Sequence, residues 1–332
     1  TDIPDDTDES LARFGFALMS DVDTRLRGRA AHCIRRLGAY GQSKIIQALA
    51  GLWPRTEEHS FRAPGTPFYW QAARLWTITT LSRIACENPS EVAPLKRFLL
   101  DVLQDSSFPH PAIRSFGQDA IRELQAVKLI SLTPTEESVV DKALDIGLPR
   151  QKRNHNFLGN RKQGDIKAAR WEFDDLDTMP YWFNPASHVF ADVSGGQVAE
   201  EAERWIVDRW KVDPKYREWR NEPRQSRFSE RDYRLRSNDH GSHPIIEDYR
   251  TFLAWYGLQC AIGSLGQTNP YSKTDYEDGV DEFESDLERQ KLSEPPFWLA
   301  DLLSPRPPEA ALHRRPADID KWLSEVSEQE FL

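Results

Sequence analysis

Apolar residues recur along the first half of the chain at three- and four-residue steps, the signature of one helical face. Leu11, Phe14, Leu18 and Met19 make the first such face. Asp21 and Asp23 are placed to cap the next helix, which turns Leu26, Ala30, Cys33, Ile34 and Leu37 inward and stops at Gly41. Ser43 opens a third helix with Ile45, Ile46, Leu49 and Leu52, ended by Pro54. Beyond a polar loop broken by Pro64, Gly65 and Pro67, residues 68–86 predict a long helix carrying Ala72, Leu75, Trp76, Thr79 and Ile84. Asn88-Pro89-Ser90-Glu91 is a start signal in which Asn caps, Pro fills the first turn and Glu returns to the cap N–H. Val92, Leu95, Phe98, Leu99 and Val102 form the stripe that follows, and residues 109–127 predict another helix. Thr133-Pro134-Thr135-Glu136 is a second capping box, opening a helix that runs through Leu144.

One phrase returns inside this pattern. Leu26-Arg27 … Ile34-Arg35-Arg36-Leu37 reappears as Ile113-Arg114 … Ile121-Arg122-Glu123-Leu124, and Ala30-Ala31 is echoed midway by Ala72-Ala73. The steps are about forty to forty-five residues, the period of stacked helical repeats. Such a unit cannot bury its apolar face alone and must stack on its neighbours. Asp21 precedes Arg27, and Asp105 precedes Arg114 at a longer interval filled by Phe108-Pro109-His110-Pro111; similarity to HEAT-type repeats would imply an aspartate–arginine ladder here, loosened at the second copy, with two solvated arginines as the alternative.

The texture changes after residue 145. Residues 146–170 are basic and rich in Asn and Gly, and read as a linker between repeats at 1–145 and an aromatic-rich helical domain at 171–332. Val198, Ala202, Trp205, Ile206 and Trp210 predict one helix there. Pro244 is placed in the first turn of another, bearing Ile245, Tyr249, Phe252, Leu253, Tyr256, Cys260 and Leu265. No stretch alternates as a strand does, so the fold class is all-α: a helical-repeat solenoid followed by an irregular helical domain.

Net charge is −10, which argues against wholesale phosphate binding. The three scattered cysteines, Cys33, Cys86 and Cys260, do not form a disulfide framework and read as small buried hydrophobes of a reducing cytoplasm. No apolar run is long enough to cross a bilayer, and no secretory leader is visible. A start on Thr1 rather than Met suggests a piece of a longer protein.

Phosphate-loop, dinucleotide, H-E-x-x-H, C-x-x-C and G-x-S-x-G signatures are all missing. Asp239, His240, His243 and Glu247 have steps that could converge on zinc or manganese and would centre a metal-dependent hydrolase or nuclease, although turn and cap chemistry explains them more simply. Asp174, Asp175 and Asp177 miss the calcium-loop pattern and read as turn and cap residues. Basic stretches at 150–170 and 217–236, the second interleaved with Trp219, Phe228 and Tyr233, suit a nucleic-acid-binding module, with pairing to the chain's own acids as the plainer account. Trp171, Tyr181, Trp182, Trp219, Arg224, Arg227 and Tyr233 are the candidate contacts for a protein partner, since Trp, Tyr and Arg dominate interface energetics. No cofactor is implied.

Asp21-Val22-Asp23-Thr24-Arg25-Leu26-Arg27 with Ala30-Ala31 resembles HEAT-type repeats. Phe68-Tyr69-Trp70, Arg83-Ile84-Ala85, Phe108-Pro109-His110, Asp177-Thr178-Met179-Pro180-Tyr181-Trp182, Gly241-Ser242-His243-Pro244 and Trp298-Leu299-Ala300-Asp301-Leu302 resemble the helical C-terminal regions of large bacterial NACHT- or STAND-type signal-transducing NTPases, some of which act in antiphage defence. The resemblance implies a cytoplasmic sensor or scaffold that recognises a trigger or restrains an ATPase. It carries over no nucleotide-binding residue, because no NTPase module lies in this chain.

Overall fold

The computed structural model describes residues 4–54, 69–144, 148–152, 170–214 and 241–273. The chain divides into two units, Thr1–Pro295 and Pro296–Leu332, and the second lies outside the described residues. In the first unit the all-α expectation holds. Helices α1 (Thr7–Met19), α2 (Thr24–Ala39), α3 (Ser43–Gly51), α4 (Trp70–Glu87), α5 (Pro89–Val92), α6 (Lys96–Gln104), α7 (Pro111–Ala126) and α8 (Pro134–Asp141) follow one another as the periodicity predicts. Then come the short α9 (Asn184–Ala186), α10 (Gly195–Glu203) and α11 (Tyr249–Leu265), with π-helical turns at Met179–Phe183 and Arg204–Arg209. Ladder pairing among the described residues is confined to a two-residue parallel pair, Gln151–Lys152 with Ser272–Lys273, and two isolated bridges.

The core is organised on α4. Fifteen of its 18 residues are buried, leaving almost no solvent face, as expected of a helix enclosed on all sides. Its buried hydroxyls are satisfied within the helix: Thr79 donates to the Leu75 carbonyl at 2.8 Å and Thr80 to that of Trp76 at 2.7 Å. Helices α1 and α2 pack on one part of it and α7 on another. Small residues allow the approach, with Ala72 and Ala73 both at 0% exposure and Gly38 of α2 lying against the Ile84 side chain. Helix α11 is likewise buried over most of its surface and packs against α10 and α7.

Several local expectations are corrected. On α1 the inward residues are Ala12, Gly15, Phe16, Ala17 and Met19, while Leu11 and Phe14 are exposed. Cys33 and Cys86 are exposed as well, and only Cys260 is a buried cysteine. Glu91 does not return to its cap, because its carboxylate accepts from the Ser43 hydroxyl on α3 instead. The Thr133 box forms as expected, with Glu136 accepting from the Thr133 N–H at 2.7 Å. Helix α11 starts at Tyr249 rather than beside Pro244. Asp248 caps it by accepting from the Thr251 N–H at 2.8 Å, and the residues before it are claimed by another partner, described below.

Where α11 meets the turn into α7 the two backbones nearly touch. A Cβ built on Gly263 would lie 1.5 Å from the Pro109 carbonyl oxygen, and neither main chain can yield as a side chain would. Gly263→Ala is expected to lower the unfolding free energy by about 3 kcal/mol or more in a urea titration. Gly51→Ala, with open space around it, should stay within about 0.5 kcal/mol of the parent.

Candidate functional site

The polar centre of the fold grows from the first turn of α2. Asp23 caps this helix by accepting from the Arg25 N–H at 3.0 Å. Arg27, one turn on, points into the core and is 1% exposed. Its Nε donates to the main-chain carbonyl of Asp21, and its Nη2 forms an ion pair with Glu247. The Arg27 guanidinium also sits 6.0 Å from the Tyr69 ring centroid and 5.7 Å from that of Phe252, aromatic faces that suit a desolvated cation.

Glu247 reaches this position on an extended strap, residues 241–248. The strap lies along the α1–α2 turn: the Glu247 N–H donates to Val22 O at 3.0 Å, and the Thr24 N–H to Ile245 O at 2.9 Å. These bonds explain why residues 245–247 are not helical, since the Ile245 carbonyl and the Glu247 N–H are already engaged with the turn. The second Glu247 oxygen meets His243 Nε2 at 2.6 Å. His243 stacks at 6.1 Å on Trp182 and edges Trp255 at 5.1 Å. The Trp182 Nε1 donates to Gly241 O at 2.7 Å. Gly241 has φ +74, and a Cβ there would lie 2.3 Å from that of Tyr181, so both the left-handed backbone and the space favour glycine.

Burial pushes the Glu247 carboxyl upward, but Arg27 and His243 outweigh it and hold the group below its ordinary value of 4.5. The Glu247 carboxylate is therefore ionised, with both of its oxygens engaged. Among the described residues no group of three His, Cys, Asp or Glu side chains is arranged to hold a metal. Asp239 and His240 lie outside the described residues, while both oxygens of Glu247 are engaged by Arg27 and His243.

A second cation, Arg74 of α4, is boxed by aromatic rings, with its guanidinium 4.1 Å from the Trp70 centroid, 5.2 Å from Trp53 and 5.7 Å from Phe108. Its Nε donates to Trp53 O at 2.9 Å. Burial lowers it to about 10, with Asp105 opposing.

Of the partner-contact candidates, Trp171 and Trp182 are buried at 5% and 6% exposure, whereas Tyr181 is open at 45%. Trp219, Arg224, Arg227 and Tyr233 lie outside the described residues. From the basic linker, Arg170 is taken up internally, bonding Glu203 at 2.9 Å and Asp208 at 2.7 Å. Asp174 acts as a turn residue, accepting from the Leu176 and Asp177 N–H groups at 2.9 and 2.6 Å. Sequence reasoning missed Arg27–Glu247 as a pair, for the two are 220 positions apart. The retrievable signal was an arginine on the apolar side of α2. Neither models of known protein families nor characterised proteins match this chain, and no described helix is long and apolar enough to cross a membrane.

Breaking a buried pair strands a charge. Glu247→Gln is expected to cost about 3–5 kcal/mol of stability, and Arg27→Met with Glu247→Leu should recover much of it. Because the Glu247 carboxyl titrates below its ordinary value, its contribution is present above pH 4.5 and lost as pH falls below it. Acid unfolding curves of Glu247→Gln should lack that component.

Proposed function

We propose that the chain is a HEAT-like helical-repeat region that binds a protein partner or trigger within a larger cytoplasmic signalling protein, and is not an enzyme on its own. The observation that carries the reading is the equivalence of the two phrase copies. Arg27 and Arg114 both turn inward, at 1% and 9% exposure. Each donates to the main-chain carbonyl of the aspartate in the preceding turn, Asp21 and Asp105. Ile34 and Ile121 are both buried, and their helices pack on the shared α4. The expected ladder is thus replaced by a local tie that pins each helix to its own entry turn.

Stacked hairpins of this kind offer an extended surface for capture. The contact anchors in this reading are the exposed Tyr181 and the aromatic and arginine residues Trp219, Arg224, Arg227 and Tyr233. The resemblance to defence-type NTPases supports the same role. The hydrolase alternative is weakened by the commitment of Glu247 to Arg27.

Replacing Trp219 and Arg224 together is expected to reduce partner capture from a host lysate by about ten-fold or more, with the melting transition unchanged. Equal capture by parent and double variant would remove this placement of the interface. Metal in stoichiometric amount in the purified chain, with activity lost in His243→Ala, would instead favour the hydrolase.

A further inference from the structure

The junction of α7 and α11 gathers several buried polar atoms without partners. On α4 the Arg83 Nε is the buried atom left without a partner, while Arg74 is spent on Trp53 O and Thr79 and Thr80 on their own helix. At the α7–α11 seam several polar groups are not spent. His110 is 2% exposed and Gln259 0%, and both ring nitrogens of the first and both amide atoms of the second lack a protein partner, as does the Arg114 Nε. His110 precedes α7 and Arg114 lies in its first turns, while Gln259 lies on α11, the helix packed against it. The His110 ring lies 5.8 Å from that of Tyr256, three positions before Gln259 on α11, and Gly263 one turn further touches the Pro109 carbonyl. Buried polar atoms without partners favour any state that exposes them.

We propose that α11 detaches from α7 as a pH-sensitive latch, with His110 taking up a proton as the seam opens. This reading does not depend on the partner-binding proposal. The charged and titratable groups around the turn are Arg74 of α4, Arg114 of α7, Asp105 after α6, and Tyr256 and Cys260 of α11. Arg74 and Arg114 both feel Asp105, and burial pushes the Cys260 thiol well up. Two guanidiniums already occupy this dry region, so an imidazolium is accommodated only by opening.

Burial holds His110 at about 3, against 6.5 for the free group. Above 6.5 the histidine is neutral in both states and costs the closed seam nothing; as pH falls below 6.5 the open form alone takes the proton and is increasingly favoured, down to about 3. Between pH 7.5 and about pH 5, opening should rise on the order of thirty-fold. Glu247 stays ionised over that interval, so the strap remains seated while the seam responds.

Hydrogen exchange on the full chain, corrected for intrinsic rates, tests this. Amides at 252–262 in α11 should lose protection on the order of thirty-fold at about pH 5 relative to pH 7.5, while those at 73–84 in α4 change far less. His110→Gln should keep the parent's protection at pH 7.5 and lose the pH response. Gln259→Leu, which removes both stranded amide atoms, should raise α11 protection by about ten-fold at either pH. Equal loss in α4 and α11, or a pH response surviving in His110→Gln, would overturn the proposal. So would a seam fixed by bound water, which would leave α11 protection the same at both values.

Discussion

A cation buried at 1% exposure sets the terms for this fold. Arg27 is placed in the interior by the α2 stripe, and an uncompensated charge there would be prohibitive. The Asp21 carbonyl meets one side of the guanidinium, and the remaining need is met by Glu247. That demand seats the strap on the α1–α2 turn and fixes where α11 begins. Through α11 it also determines which surface of α7 is covered.

The same logic appears in a milder form at Arg114, which binds a main-chain carbonyl and feels Asp105 without a direct carboxylate bond. The two copies of one phrase thus receive different completions. The first is closed by a distant carboxylate. The second faces α11 with His110 and Gln259, which bring no compensating charge. One seam is held ionically and the other rests on apolar contact around stranded polar atoms, so the two ends of α11 are anchored by different physics.

What the sequence made legible follows from the range of the interaction involved. Helices α2 to α8 were visible because caps and stripes act over a few residues, as in the Thr133 box. The face of α1 differs because Leu11 and Phe14 are apolar yet exposed, while Ala12, Gly15 and Phe16 turn inward. The start of α11 was misplaced because proline suits a first turn equally well as an extended strap, and only the tertiary bonds to residues 22–24 decide between them. At the candidate site the sequence places His243 and Glu247 four residues apart, and the structure adds Arg27 of α2 as the partner of Glu247. No local pattern links positions 220 apart.

That separation bears on biosynthesis. A ribosome releases α2 well before residue 247 emerges, so Arg27 has no access to this carboxylate until 220 further residues have been made. Helix α4, enclosed on nearly every side, is likewise covered fully only once α7 has been made. Closure of the Arg27 site is therefore a long-range event, made only when a segment 220 positions further along the chain returns to the first turn of α2.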